Sequence, residues 1–542
     1  MTNKQEDLVK YLAHRFSSLQ TRRVNYEPQW KDINKYIVPE RGKNFGGQQM
    51  EGRDFSPQIF DSTAIKACED LASGLQSMLT SPSARWFNLS PGDAEILNKS
   101  VAAREWIQYV ENLMYFVFQS PSMKFYSNAH QCYLDLAGFG TAVMLIEADT
   151  KKRKIKYKAI QLDECFIDEN EDGEVDTLFR RFYYSPRQML NEFGATMSPE
   201  LKKEIEEAAD KTPLNTYEII HAVYPRTTRN EQSLLPINMP FASVYYSAKH
   251  KQILSESGYK EFPYVVPRWY TRSGEVYGTS PGMICIADVR MLNQMSRTTI
   301  KGARRKVEPA YQLPDDGFLA PIDLRADALN YHRPGMQDKL EPIGIQGDIG
   351  LGLDMEEQRR NSIRTAFYAD LMFDNKTARM ATTEVLQREE ARMRVMAPQL
   401  GRMHVEFMSP IITKTFIILE RFGLIPPVPP ELTTTYLKPD YVSPVARAQK
   451  VLQASNVQRM FEQMAGFAQI NPEVFDSISP DGLSTWLVNL YDAPASILRN
   501  DDEVKALRDQ RQQQQQIQSQ MAMLQQGADI ASKSGLMEKG GK

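Results

Sequence analysis

The stretch from Ser280 to Thr383 constrains this chain more than any other. Ser280-Pro281-Gly282 opens a helix, with the fixed φ and missing N–H of proline suited to a first turn. On a helical wheel Ile284, Ala287, Met291 and Met295 share one stripe. Cys285, Val289, Leu292 and Ile300 share a second, roughly 120° away. Arg290, Arg297, Lys301 and Arg304 take the remaining face. Two separate apolar stripes call for neighbours on two sides, as in a ring of like helices. A buried domain helix with one solvated basic face answers the same pattern.

From Glu308 to Gly352 the chain is rich in Pro, Gly and Asp, as in Pro314-Asp315-Asp316-Gly317 and Arg333-Pro334-Gly335, which are turn signals between short β-capable runs. Helix resumes near Asp354, with Met355, the stem of Arg359, Ile363, Ala366, Phe367 and Leu371 on one face. Glu356 and Arg360 are spaced for an i,i+4 ion pair. Phe373 to Met380 then reads as an exposed loop carrying Asn375 and two cations, Lys376 and Arg379. Thr383, with Glu384 in the first turn, starts a further helix. Two helices of about 20–25 residues span roughly 30–37 Å, which suits a stalk with a small lobe at its far end.

Elsewhere the chain alternates helical and β-rich segments. Asp7–Tyr26 is an amphipathic helix through Leu8, Tyr11, Leu12, Phe16 and Leu19, and Trp30, Ile33, Tyr36 and Ile37 extend the pattern to Pro39. Asp61-Ser62-Thr63 caps a helix bearing Ile65, Cys68, Leu71, Leu75 and Leu79. A strand over Arg85–Leu89, helices over about 102–119 and 124–136, and a turn at Gly138–Ala142 follow. Lys152–Ile160 alternates basic and apolar residues, the period of a half-exposed strand whose basic side either meets nucleic acid or is simply solvated. Ser185–Asp210 is helical and charged, and Tyr217–Trp269 is β-rich. Helix runs from Thr383 to Gly423, with Pro398 and Pro410 as kinks. Past Ser443 come a compact helical segment and a polar helix containing the Gln512–Gln516 run.

The chemistry is as informative for what it lacks. A chain of 542 residues suggests two to four domains, and a net charge of −3 excludes a polycation that clamps nucleic acid by bulk attraction. The four cysteines are scattered without a C-x-x-C, so reduced, buried thiols are expected rather than zinc or disulfides. The apolar run Ile411–Ile425 is broken by Lys414, Glu420 and Arg421, so no membrane span is expected. There is no phosphate-binding G-x-x-x-x-G-K-[ST], no H-E-x-x-H and no G-x-S-x-G. Asp168–Gly173 resembles the start of an EF-hand loop, but its twelfth position is Phe179, and Asp172-Gly173 between strand-like runs is a hairpin turn. The six histidines are isolated from one another. No enzyme, cofactor or metal site is expected.

Several stretches, in order, resemble the portal, or head-to-tail connector, proteins of podovirus-type tailed bacteriophages. They are Trp30…Ile33…Tyr36…Pro39, Asp61–Ala64 with Leu71–Leu75, Thr80–Phe87, Gly140–Ala142 and Asp172–Asp176. Most specific is Phe262-Pro263-Tyr264-Val265-Val266-Pro267-Arg268-Trp269 followed by Gly274–Pro281. The resemblance runs to about Arg388 and is compositional beyond Ser443.

That resemblance implies an α+β, mostly helical portal fold with wing, stem, clip and crown, assembling as a cyclic, usually dodecameric ring at one capsid vertex. The regions map as wing 1–280, first stem helix 281–306, clip 307–353, second stem helix 354–372, tunnel loop 373–382, long wing helix and linker 383–442, and crown 443–542. It further implies a virion protein, assembled in the host cytoplasm, with a channel for double-stranded DNA. Its partners would be other copies of itself, the terminase packaging motor, tail and adaptor proteins, scaffold and the major capsid protein, with no membrane. A channel must not grip DNA, since neutralising many phosphates gives tight, salt-sensitive binding. A few ring-repeated cations, Lys376 and Arg379 beside Asn375, suit sliding. The Arg290, Arg297, Lys301 and Arg304 face either lines the lumen or points outward. A ring-forming scaffold without DNA passage, viral or cellular, and a Mg²⁺ nuclease using acidic pairs such as Asp163-Glu164 are the alternative readings.

Overall fold

A computed structural model describes residues 2–41, 58–92, 100–150, 152–230, 232–233, 235–312, 323, 341–342, 349–369, 394–433, 437–441, 457, 459–460, 463–464, 482–483, 504–519 and 521. The chain forms two compact units. One comprises Met1–Pro82 with Ser120–Lys414, and the other Ser83–Gln119 with Thr415–Lys542.

The first unit holds a five-stranded antiparallel sheet in sequential order, β4 (Cys165–Glu169), β5 (Val175–Tyr184), β6 (Tyr217–Pro225), β7 (Phe241–Ser247) and β8 (Gln252–Tyr259). Alternation splits its side chains between two cores. On one face Phe166, Phe179, Ile220, Val244 and Tyr246 meet Val9, Leu12, Phe16 and Leu19 of α1 (Thr2–Arg23). On the other, Phe182, Ile219 and Leu254 meet α6 (Pro186–Phe193) and α7 (Pro199–Lys211) through Met189, Phe193, Leu201 and Ile205. The expected hairpin links β4 to β5: Asn170 Oδ1 accepts from the amides of Asp172 and Glu174, and Gly173 takes φ 78°.

Arg23, at the end of α1, is fully buried, its guanidinium 3.8 Å from the Phe166 ring centroid. It donates to the carbonyls of Leu162, Asp163 and Cys165 and pairs with Glu27 at 3.0 Å. A buried charge is tolerable when each N–H finds such a partner.

Beside the sheet lies a helical layer: α2 (Glu27–Tyr36), α3 (Thr63–Leu79), α5 (Phe125–Phe139), α8 (Pro281–Val307) and α9 (Ile349–Ala366). A smaller sheet, β3 (Lys154–Ile160), β2 (Val143–Asp149) and β9 (Tyr264–Val265), adjoins α5. Strand β3 alternates exposed and buried residues as its sequence predicts. Its exposed Lys154 and Lys156 stand opposite Asp149 and Glu147, which gives that face internal charge partners. At the start of α3 the expected capping stretch acts through Asp61, which accepts the Thr63 amide at 2.8 Å, while the Ser62 side chain makes no cap bond. Asp61 also receives Arg360 of α9. All four cysteines are free and buried, and burial raises their thiol pKa values.

In the second unit α4 (Val101–Gln119) supports a ribbon of β1 (Phe87–Pro91) and β12 (Leu437–Tyr441). The Tyr115 hydroxyl accepts from the amides of Trp86 and Phe87 and donates to the Phe87 carbonyl. Trp106 Nε1 donates to the Pro426 carbonyl at 3.0 Å. Residues 83–119, placed by sequence order among the N-terminal elements, thus pack with the C-terminal part of the chain. Among the described residues no helix is long and apolar enough to cross a membrane, and no cluster of His, Cys, Asp and Glu could hold a metal ion.

Candidate functional site

The paired helices form where the sequence placed them, with shifted ends. Helix α8 has 27 residues, about 40 Å, and runs one residue past its expected end. Helix α9 starts at Ile349, five residues before expected, and ends at Ala366, six before its expected end, where Tyr368 takes φ 57°. They are antiparallel: Asp288 takes Arg359 at 3.0 Å and Ser362 at 3.1 Å, Ser296 donates to Glu356 at 3.1 Å, and Thr299 lies level with Gly352. The expected Glu356–Arg360 pair is present at 2.9 Å, and Arg360 continues to Asp61. Beyond the helices, β10 (Tyr311–Gln312) pairs antiparallel with β11 (Glu341–Pro342), so the Pro/Gly-rich excursion returns to its own base.

The two apolar stripes of α8 meet different fates. Cys285, Val289 and Leu292 are buried within the unit, whereas Ile300, expected with them, is 53% exposed. Ile300 lies in the outer half of α8, one residue beyond Thr299, which faces Gly352 of α9. The other stripe is open: Ile284 is 70% and Met291 41% exposed, and Ala287 is exposed beside them. On α9 Leu351 and Met355 are exposed too, Met355 one residue from the Ser296–Glu356 contact.

Arg290, Arg297, Lys301 and Arg304 all lie exposed on α8. Three engage their own chain: Arg290 pairs with Asp32, the Arg297 guanidinium lies 5.7 Å from the Phe60 ring centroid, and Arg304 pairs with Glu308 at 3.3 Å. Asn375, Lys376 and Arg379 lie outside the described residues, as do the rest of the 373–382 loop, the helix start at Thr383, and almost all of 307–353 beyond Gln312 and of 443–498.

The footing of α8 is built by the segments singled out in the sequence. Gly140 ends α5 at φ 79°, and its carbonyl accepts the Trp269 amide at 2.8 Å. Its backbone lies directly against Gly278, where a Cβ on Gly140 would stand 2.5 Å from the Gly278 carbonyl oxygen. The Gly278 amide donates to Thr141 Oγ1 at 2.8 Å. Ser280 then caps α8, accepting the Met283 amide at 2.8 Å while donating to the Gly138 carbonyl at 2.6 Å. Tyr277 packs against both Tyr26 and Trp30, and its hydroxyl accepts the Ile167 amide. The glycines, Thr141, Tyr277 and Ser280 are there because two chain segments cross at backbone contact and one of them starts the long helix.

Arg268 anchors the same crossing. Its side chain is 6% exposed and reaches Glu169 at 2.7 Å, Glu406 at 3.0 Å, and the carbonyls of Gly173 at 2.7 Å and Val276 at 3.3 Å. Glu406 lies in a π turn, His404–Met408, within a helix that runs from 394 to 421. Sequence reasoning placed Arg268 in a motif but missed Glu406; Pro410, marked as a kink, was the available signal.

The arrangement is a close-packed footing for the α8–α9 helix pair. The chain matches the family described as Bacteriophage head to tail connecting protein over residues 9–498. It belongs to that family, whose role is structural, as a component of the virion. It is 31% identical over 542 residues to the "Probable portal protein" of Bordetella phage BPP-1, covering 98% of this chain and 96% of that protein. It is 27% identical over 547 residues to the "Portal protein" of Salmonella phage epsilon15, covering 97% of this chain and 95% of that protein. Among solved structures, a chain of the virion of a native gene transfer agent particle aligns over 79% of this chain and 94% of its own, at 10% identity and a TM-score of 0.31, too low to carry an argument.

Proposed function

We propose that this protein is the portal of its capsid: a cyclic ring, dodecameric as the resemblance implies, through which double-stranded DNA enters during packaging and leaves at ejection. The observation that carries the reading is the open stripe of α8. Ile284, Ala287 and Met291 lie exposed in one stripe along a long helix, and a second copy of the same helix pair is the partner that a closed ring supplies to cover such a stripe. In this assembly 281–306 and 354–372 form the stem, 307–353 the clip that meets terminase and later tail or adaptor proteins, and 373–382 the tunnel loop. The 1–280 and 383–442 segments form the wing, toward scaffold and the major capsid protein, and 443–542 the crown.

Lys376 and Arg379, with Asn375 beside them, face the DNA phosphates from the loop. The cations of α8 already engaged by Asp32, Phe60 and Glu308 sit on its outer flank and add little to DNA binding. The mass of the purified protein in solution tests the ring. Chains of 62.0 kDa closing as about twelve copies give roughly 0.74 MDa. A monomer that closes into a ring when scaffolding protein is added supports the proposal. A monomer under both conditions contradicts it.

A further inference from the structure

We propose that Arg268 is a positioning residue that ties the register of the 394–421 helix to the N-terminus of α8, with Glu406 as its contact on that helix. The coupling rests on contacts within one chain and is independent of ring formation.

The π turn has a local cause. Pro410 has no N–H to give the Glu406 carbonyl, and its ring collides with the carbonyl four residues back, which is that same residue. The helix relieves the clash by widening: the Ser409 amide reaches back five residues to the His404 carbonyl. The extra residue turns Glu406 towards Arg268. There its carboxylate accepts the Arg268 amide at 2.9 Å, Nε at 3.4 Å and Nη2 at 3.0 Å, and Arg402 approaches at 3.3 Å. This is a forked grip on both the backbone and the side chain of one residue, which a flexible ammonium could not reproduce.

On its other side Arg268 holds what sets α8. Its Nη1 and Nη2 take the Val276 and Gly173 carbonyls, and its backbone bridges Thr141. One residue further on, the Trp269 amide binds Gly140, which presses against Gly278, two residues before the Ser280 cap. A β-bulge between Asp168 and Glu169 presents Glu169 to the same guanidinium. From the π turn to the α8 cap the path is therefore continuous: Glu406, Arg268, Trp269, Gly140, Gly278, Ser280. No step is a solvated contact between long flexible side chains.

Amide hydrogen exchange on the full-length protein tests this. Glu406→Gln is expected to speed exchange about tenfold or more at 404–410 and at 278–284, with no change at 186–211 on the far face of the sheet. Pro410→Ala leaves Arg268 and Glu406 intact but removes the cause of the π turn, and is expected to give the same two-segment signature. A response confined to 404–410, or one equal at 186–211, overturns the coupling. A Pro410→Ala protein whose 278–284 exchange matches wild type shows that the π turn does not aim Glu406, which also overturns the proposal.

Discussion

Gly140 and Gly278 meet backbone to backbone, with no room for a Cβ on either, at the point where the chain leaves the core to begin α8. The contact fixes where the helix starts, and so where everything beyond it is carried. Gly278→Ala should destabilise the fold by about 1–3 kcal/mol, because the methyl group meets a carbonyl that cannot step aside. Gly302→Ala, in α8 with open space around it, should instead be neutral or stabilise by up to about 1 kcal/mol through helix propensity. Urea unfolding of the two variants beside wild type measures the contrast.

Ile284→Asp combined with Met291→Asp places charge on the open stripe without touching the buried one. The pair should abolish the high-mass assembly while shifting the thermal midpoint of the monomer by only a few degrees, since exposed substitutions usually change stability by about 0.5 kcal/mol or less. Sedimentation and a melting curve on the same sample separate lost assembly from lost folding.

His221 lies sealed in the sheet, 3.1 Å from the Tyr264 hydroxyl and 2.9 Å from the Ser243 hydroxyl, stacked on Tyr245 at 3.9 Å. Burial, with Arg180 nearby, pushes its pKa down to about 3 from the usual 6.5. Below pH 6.5 the unfolded chain takes up a proton that the native state refuses, so the contribution is full above 6.5 and lost as pH falls towards 3. This one group should remove about 1.4 kcal/mol per pH unit below that point. His221→Gln should lose correspondingly less between pH 6.5 and 5, as urea midpoints at the two values would show.

Particles assembled with Lys376→Ala and Arg379→Ala should package DNA but retain it poorly, with wild-type ring mass. Packaged genome length and loss of DNA on storage are the readouts. Retention equal to wild type would remove the loop from contact with phosphate.

Local signals made much of the architecture legible. Ser280-Pro281 marked a helix start because capping and proline chemistry act within one turn, and Asp172-Gly173 marked a hairpin for the same reason. The alternation of Lys152–Ile160 gave β3 within two residues. Strand β8 fell within the β-rich Tyr217–Trp269 stretch but was not singled out, because Gln252-Ile253-Leu254-Ser255-Glu256-Ser257-Gly258-Tyr259 has little apolar alternation; its pairing with β7 holds it in place. The exposure of Ile300 could not be read from a wheel, which gives the face of a residue but not what stands opposite it. Long-range partners were invisible for a simpler reason: Arg290 finds Asp32, and Arg268 finds Glu406, across separations of 258 and 138 residues that leave no local pattern. Nor could sequence order reveal that residues 83–119 pack with the C-terminal unit.

Electron microscopy of the purified protein tests the central claim most directly. Closed rings of about twelve chains around a hole of roughly 20 Å or more, with the α8–α9 pairs side by side and the Ile284–Met291 stripe between copies, are the expected result. Rings without a central hole of DNA width, or an assembly that leaves that stripe in solvent, would contradict it.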